Sequence, residues 1–128
     1  MKYGYSKKVN LSFEETIAKV TEELKKEGFG VLTEIDVKNT LKKKLDVDFK
    51  PYMILGACNP TSAYKVLQME EQVGLLLPCN VIVYETEDKD IVVSAIEPDA
   101  MMSVVDNPDI QKIAQEIREK LHRVIDAV

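Results

Sequence analysis

The only two cysteines of the chain each stand directly before an asparagine, in Gly56-Ala57-Cys58-Asn59-Pro60 and in Leu77-Pro78-Cys79-Asn80-Val81. Thiols and carboxamides placed in this way suit nucleophilic transfer, coordination of a soft metal, or polar contacts in a ligand pocket. Asn59-Pro60 reads as a helix N-cap followed by proline at the first helical position, where its missing N–H costs nothing. Cys58 therefore falls just before a helix N-terminus, whose dipole and unpaired N–H groups favour a thiolate. That makes Cys58 the candidate catalytic residue. Cys79 follows a proline that interrupts an apolar run, and Asn80 lies inside that run, where it needs a buried partner or a ligand. Cys58, Asn59, Cys79 and Asn80 form the candidate ligand-binding set. The plainer alternative is that both cysteines are small buried residues packed beneath a helix.

Other chemistry finds little support. The single histidine, His122, falls beyond the apolar stripe of the last helix beside Arg118 and Asp126, and reads as a polar side chain on the solvent side rather than as a base for a thiol. Two cysteines fall short of the four ligands of a structural zinc site, so no metal site is assigned; a two-coordinate copper(I) site would need only the two thiolates. A glycine-rich phosphate loop, a GxSxG elbow and a CxxC pair are all missing. The sequence names no cofactor.

The elements that must position these residues follow from patterning. Tyr3 to Val9 predicts a first strand, and Ser12 with Glu15 a capping box opening a helix that carries Phe13, Ile17, Val20 and Leu24 on one face and ends near Gly28. Phe29 to Ile35 predicts a second strand, and Asp36 caps a short helix that should turn Val37, Leu41 and Leu45 inward. Lys38 and Lys42 to Lys44 on that helix read as a solvated face. Tyr52 to Ala57 is continuously apolar, as a central strand is. The helix after Asn59 should present Ala63, Tyr64 and Leu67 to the sheet. Leu75 to Tyr84 predicts a long strand interrupted by Pro78, and Ile91 to Ile96 returns as a hairpin. Asn107-Pro108 opens a final helix with the stripe Ile110, Ile113, Ala114, Ile117, Leu121, Val124 and Ile125. If the helix after Asn59 is a crossover between parallel strands, the two cysteines meet only where pairing begins near Leu75.

These elements make one domain over residues 1–128, an α+β fold in which helices pack on a mixed sheet of about five strands in a two-layer α/β sandwich. With 128 residues, 45% of them hydrophobic and 30% charged, the chain is long enough to bury a core without disulfides or a structural metal. Its 17 basic and 22 acidic residues give a net charge of −5, which argues against nucleic acid and anionic membrane as partners. The N-terminal segment lacks the apolar core of a secretory signal, and no apolar stretch approaches the roughly 18 residues of a membrane span, so a cytoplasmic location is expected. Two cysteines there are expected to be free thiols.

Tyr52-Met53-Ile54-Leu55-Gly56-Ala57-Cys58-Asn59-Pro60, then a helix, then Gly74-Leu75-Leu76-Leu77-Pro78-Cys79-Asn80-Val81-Ile82-Val83-Tyr84, looks like the signature of domain-of-unknown-function family 302, and the whole chain resembles that domain. The resemblance implies a small cytosolic two-layer α/β protein, a homodimer, with no established activity. It carries over no chemical role onto Cys58 or Cys79. The expected function is a small-molecule binding or sensing module with a site near the two Cys-Asn segments. The alternatives are a cysteine-dependent enzyme in redox or sulfur transfer and a structural homodimeric partner protein. The apolar connector holding Met101, Met102, Val104 and Val105 is the expected interface.

Overall fold

The Ser12 hydroxyl accepts the Glu15 N–H and the Glu15 carboxylate accepts the Ser12 N–H, each at 3.1 Å, and this reciprocal cap starts helix α1 (Phe13–Lys26). In the computed structural model, which describes residues 2–128, α1 follows strand β1 (Gly4–Val9) and buries Val20 and Leu24 against the sheet. Gly28, at φ +84°, turns the chain out of α1 into β2 (Gly30–Asp36), a backbone conformation that other residues rarely adopt. Asp36 caps α2 (Val37–Leu45) by accepting the Asn39 N–H. β3 (Tyr52–Cys58) leads through the Asn59 cap into α3 (Pro60–Met69), and a 3-10 turn (Glu71–Leu76) leads on to β4 (Cys79–Glu85). The hairpin partner β5 (Ile91–Ile96) is followed by the short α4 (Pro98–Met101), a second 3-10 turn and the long α5 (Pro108–Ala127), capped by Asn107.

The five strands lie in the order β1-β5-β4-β3-β2. Helices pack on this sheet in an α+β fold, as patterning predicts, but every neighbouring pair is antiparallel, where the sequence suggests a mixed sheet. The helix between β3 and β4 reads as a parallel crossover; the 3-10 turn instead brings the chain back beside the end of β3. Pro78 has no N–H to give the ladder, so β4 begins at Cys79 rather than at Leu75.

Along β4 the side chains alternate. Cys79, Val81 and Val83 are buried under the helices, and Asn80, Ile82 and Tyr84 turn to the opposite face, where Lys50 lies over the Tyr84 ring. Two buried clusters result. The larger joins the sheet to α1 and the C-terminal half of α5, including Leu55, Val81, Val93 and Leu121. The smaller holds Val66, Val73, Met102, Ile110 and Ala114, where α3 and the α4 segment meet the N-terminal half of α5.

Two expected inward faces are not buried. None of the α2 residues is buried, and Leu45 is 66% exposed, because this helix leans mainly on β2 and β3 at the sheet edge. On α3 it is Val66 that is buried, whereas Tyr64 is 66% exposed. Ala63 and Leu67 line a cavity.

Gly56 fixes the meeting of three segments. A Cβ there would overlap the Thr33 hydroxyl of β2 and come within 3.0 Å of the Pro78 ring. Gly56→Ala is therefore expected to destabilise the fold by about 1–3 kcal/mol through overpacking. Adding Thr33→Ala should restore part of that loss, read as the urea midpoint of each variant; a midpoint unmoved by Gly56→Ala contradicts this packing.

Candidate functional site

The antiparallel register sets Ala57 directly opposite Cys79 and Gly56 opposite Asn80. The last residues of β3 and the first of β4 thus share one end of the sheet, and Cys58 and Cys79 meet there without the internal pairing that a parallel arrangement would require. Above this end the two buried clusters do not merge. They leave a cavity of about 280 Å³ between them, open to solvent on one side.

Each wall comes from a separate element. Ala57, Cys58 and Cys79 form the sheet end, with Leu77 and Pro78 beside them. Asn59, Ser62, Ala63 and Val66 bring the first turns of α3. Pro98, Met101 and Met102 belong to the α4 segment, and Ile110, Ala114 and Ile117 are contributed by α5. Leu32 and Leu67, both well exposed, stand at the rim. Among the described residues no charged side chain lines the cavity, and its polar groups are the Asn59 carboxamide, the Ser62 hydroxyl and the two thiols.

Asn59 is held by two elements. Its carbonyl oxygen accepts the Ser62 N–H at 3.2 Å, capping α3, while its amide nitrogen reaches the Glu27 carbonyl at the end of α1 at 3.5 Å. A Cβ on Gly28 would stand 3.2 Å from that nitrogen, so the bend after α1 leaves room for the cap. Cys58 is half-buried and Cys79 buried, and both are free thiols. Burial first, and then the nearby charge of Cys58, push the Cys79 thiol up to about 11. Cys79 is therefore protonated at neutral pH and a poor nucleophile. Cys58, Asn59 and Cys79 come together at the cavity. Asn80 does not: it is exposed on the far face of the sheet, so it needs neither the buried partner nor the ligand that its apolar neighbours suggest.

Two features escape sequence reasoning. The first is the role of the methionine connector: Met102 is buried and Met101 lines the cavity, leaving Val104, 77% exposed, as the outward apolar residue. The expected interface is a cavity wall. The second is a polar cluster around His122. Its Nε2 lies 2.5 Å from Glu97 Oε1, its ring stacks on Tyr5 with centroids 3.7 Å apart, and the Tyr5 hydroxyl donates to Asp126 at 2.7 Å. Arg118 Nε reaches Glu97 at 3.4 Å and Asp99 at 3.7 Å. The hydrogen bond to Asp126 raises the Tyr5 pKa. The spacing of Arg118, His122 and Asp126 along one side of α5 signals a polar stripe, but Tyr5 and Glu97 are too distant in sequence to be tied to it by pattern. His122 does not line the cavity. Among the described residues no group of three or more His, Cys, Asp or Glu side chains is placed to hold a metal ion, and no helix is long and apolar enough to cross a membrane.

The geometry finds a close parallel. The crystal structure of an uncharacterised conserved DUF302 protein from Bacillus stearothermophilus superposes with a TM-score of 0.92, at 33% sequence identity, covering 99% of this chain and 98% of that one. No curated protein matches the chain in sequence. The family model for the domain of unknown function DUF302 matches residues 5–128, and the chain belongs to that family.

Proposed function

We propose that the protein is a small-molecule binding module whose ligand places an uncharged, apolar portion in the cavity between the sheet end, α3, the α4 segment and α5. One observation carries this reading: a cavity of about 280 Å³ that has, among the described residues, no charged side chain in its lining. A charge brought there would lose its hydration with nothing to pair it, whereas hydrocarbon gains about 25 cal/mol for each Å² removed from water. Asn59 and Ser62 supply neutral hydrogen-bonding groups for a polar end. The raised pKa of Cys79 weighs against that thiol, but not against Cys58, as the nucleophile of a thiol transfer. Two free cysteines also support a reducing, cytoplasmic setting for this binding.

A second surface supports self-association. On the face of the sheet away from α1 and α5, β3, β4 and β5 carry Tyr52, Ile54, Asn80, Ile82, Tyr84, Val92 and Ser94, none of them charged. Charge reaches this face from Lys8 of β1, opposite Val92, and from Lys50, whose ammonium lies 5.3 Å from the centre of the Tyr84 ring, and the apolar side chains between them are the surface a second copy would cover. Five strands about 4.8 Å apart and about 20 Å long make a face on the order of 500 Å². Two such faces reach the roughly 1,000 Å² that a specific interface needs. The protein is accordingly a homodimer joined through these sheet faces. Light scattering behind a sizing column should return twice the chain mass for the wild type and a single chain mass for Ile82→Lys; a wild-type monomer at micromolar concentration contradicts the assignment.

Ligand binding is tested with straight-chain alcohols of six to ten carbons, set against alkyl ammonium and carboxylate compounds of equal length. The alcohols should raise the melting temperature, a stabilisation of about 2.7 kcal/mol at a hundredfold excess over Kd. Ala114→Phe, or the milder Ala63→Leu, fills the cavity and should abolish the shift in a protein that still melts cooperatively. An equal shift in a folded, filled variant rules out this cavity as the site.

A further inference from the structure

Sulfur gathers at the cavity. The chain has two cysteines and five methionines, and four of these residues line this one space: Cys58 and Cys79 at the sheet end, Met101 and Met102 on the α4 segment. Met101 packs against both buried clusters, the one that holds Cys79 and the one that holds Met102, and so stands between them. Cys79 is 9% exposed, and its thiol, turned to the helix side of β4, makes no hydrogen bond among the described residues. The methionines are firmly placed, since Pro98 and Met102 are buried and the Gln111 amide donates to the Met102 carbonyl at 2.6 Å.

This lining selects among cations. Among the described residues it holds no carboxylate and no imidazole, so magnesium and calcium lack their oxygen ligands and zinc lacks a set of four. What it offers is thiolate and thioether sulfur, the soft donors that favour copper(I). Charge then decides how many thiolates take part. One monovalent ion and one thiolate make a neutral pair, which thioethers complete without adding charge; a second thiolate would leave a negative charge among apolar side chains. We infer that the cavity holds a soft-metal site in which Cys79 binds copper(I) as its thiolate and Met101 and Met102 complete the coordination through their thioethers. The inference goes beyond the apolar ligand, because it stands on the sulfur of the lining and not on its hydrocarbon. Binding is a ligand exchange: the Cys79 S–H bond breaks, an S–Cu bond forms and the proton leaves to solvent. The metal enters and remains as copper(I), so no electron is transferred. The open side at Leu32 and Leu67 admits the ion, and the three rotatable bonds of methionine let each thioether turn to it without backbone movement.

The probes are copper(I), kept reduced in oxygen-free ascorbate buffer, and silver(I), a soft ion of the same charge that keeps its oxidation state. The wild type should draw one copper(I) per chain from the competing chelator bathocuproine disulfonate. Cys79→Ala should lower the affinity about a hundredfold, and Met101→Leu and Met102→Leu, which nearly keep the side-chain volume, about tenfold each. Cys58→Ser should stay close to wild type. A second measurement needs no variant and stands even if Cys79→Ala does not fold. One equivalent of silver(I) added to protein with methyl-labelled methionine should move the methyl resonances of Met101 and Met102 and leave those of Met53 and Met69 in place. The inference is overturned if the chelator keeps all the copper(I), if the Met101 and Met102 methyls do not respond to silver(I), or if folded Cys79→Ala binds like the wild type. It is also overturned if Cys58→Ser loses as much affinity as Cys79→Ala, the mark of a two-thiolate site. Alcohol binding is measured separately, so a failed metal site and a failed apolar site give different results.

Discussion

The antiparallel pairing of β3 with β4 is the constraint on which the rest of the molecule depends. By setting Ala57 opposite Cys79 it joins two segments twenty residues apart into one sheet end, and this end is the base of the cavity. The register tolerates no slip. A shift of one residue would turn Cys79, Val81 and Val83 to the open face and put Asn80, Ile82 and Tyr84 under the helices. Gly56 makes the arrangement possible, since the Thr33 side chain and the Pro78 ring occupy the space that any larger residue would fill.

From that base the cavity follows as a matter of packing. A domain of this size usually closes around one contiguous core. Here α5, 20 residues and about 30 Å long, serves two: Leu121, Val124 and Ile125 pack on the sheet, and Ile110 and Ala114 pack against α3 and the α4 segment. The side chains where the clusters adjoin are small or slender, Ala57, Ala63, Cys79 and Ala114 among them, and they do not fill the space between. Leaving such a gap unfilled costs stability, because the lining atoms lose dispersion contacts they would otherwise make. An apolar ligand would recover those contacts.

Local signals in the sequence predict the structure where a single residue decides it. Ser12 with Glu15, Asp36, Asn59-Pro60 and Asn107-Pro108 each mark a helix start, because a cap is a contact between neighbours three residues apart. The family resemblance stands for the same reason, since its signature is a contiguous pattern. What patterning misses depends on distant parts of the chain. The helix after Asn59 suggests a parallel crossover, and only the 3-10 turn before Pro78 shows the chain returning antiparallel. Asn80 reads as buried because its neighbours are apolar, yet one step of strand alternation puts it on the other face from Cys79. Met101 and Met102 read as surface because the connector holding them has no periodicity, and the tie of Glu97 to His122 spans 25 residues.

The most direct test of the account is the place at which an apolar molecule touches the protein. Intermolecular nuclear Overhauser effects between 1-octanol and methyl-labelled protein locate it atom by atom. The account predicts contacts from the octanol chain to the methyls of Val66, Met102, Ile110 and Ala114, which enclose the cavity from α3, the α4 segment and α5. Contacts confined to Ile54, Ile82 and Val92 on the open face of the sheet, with the cavity methyls silent, would contradict it.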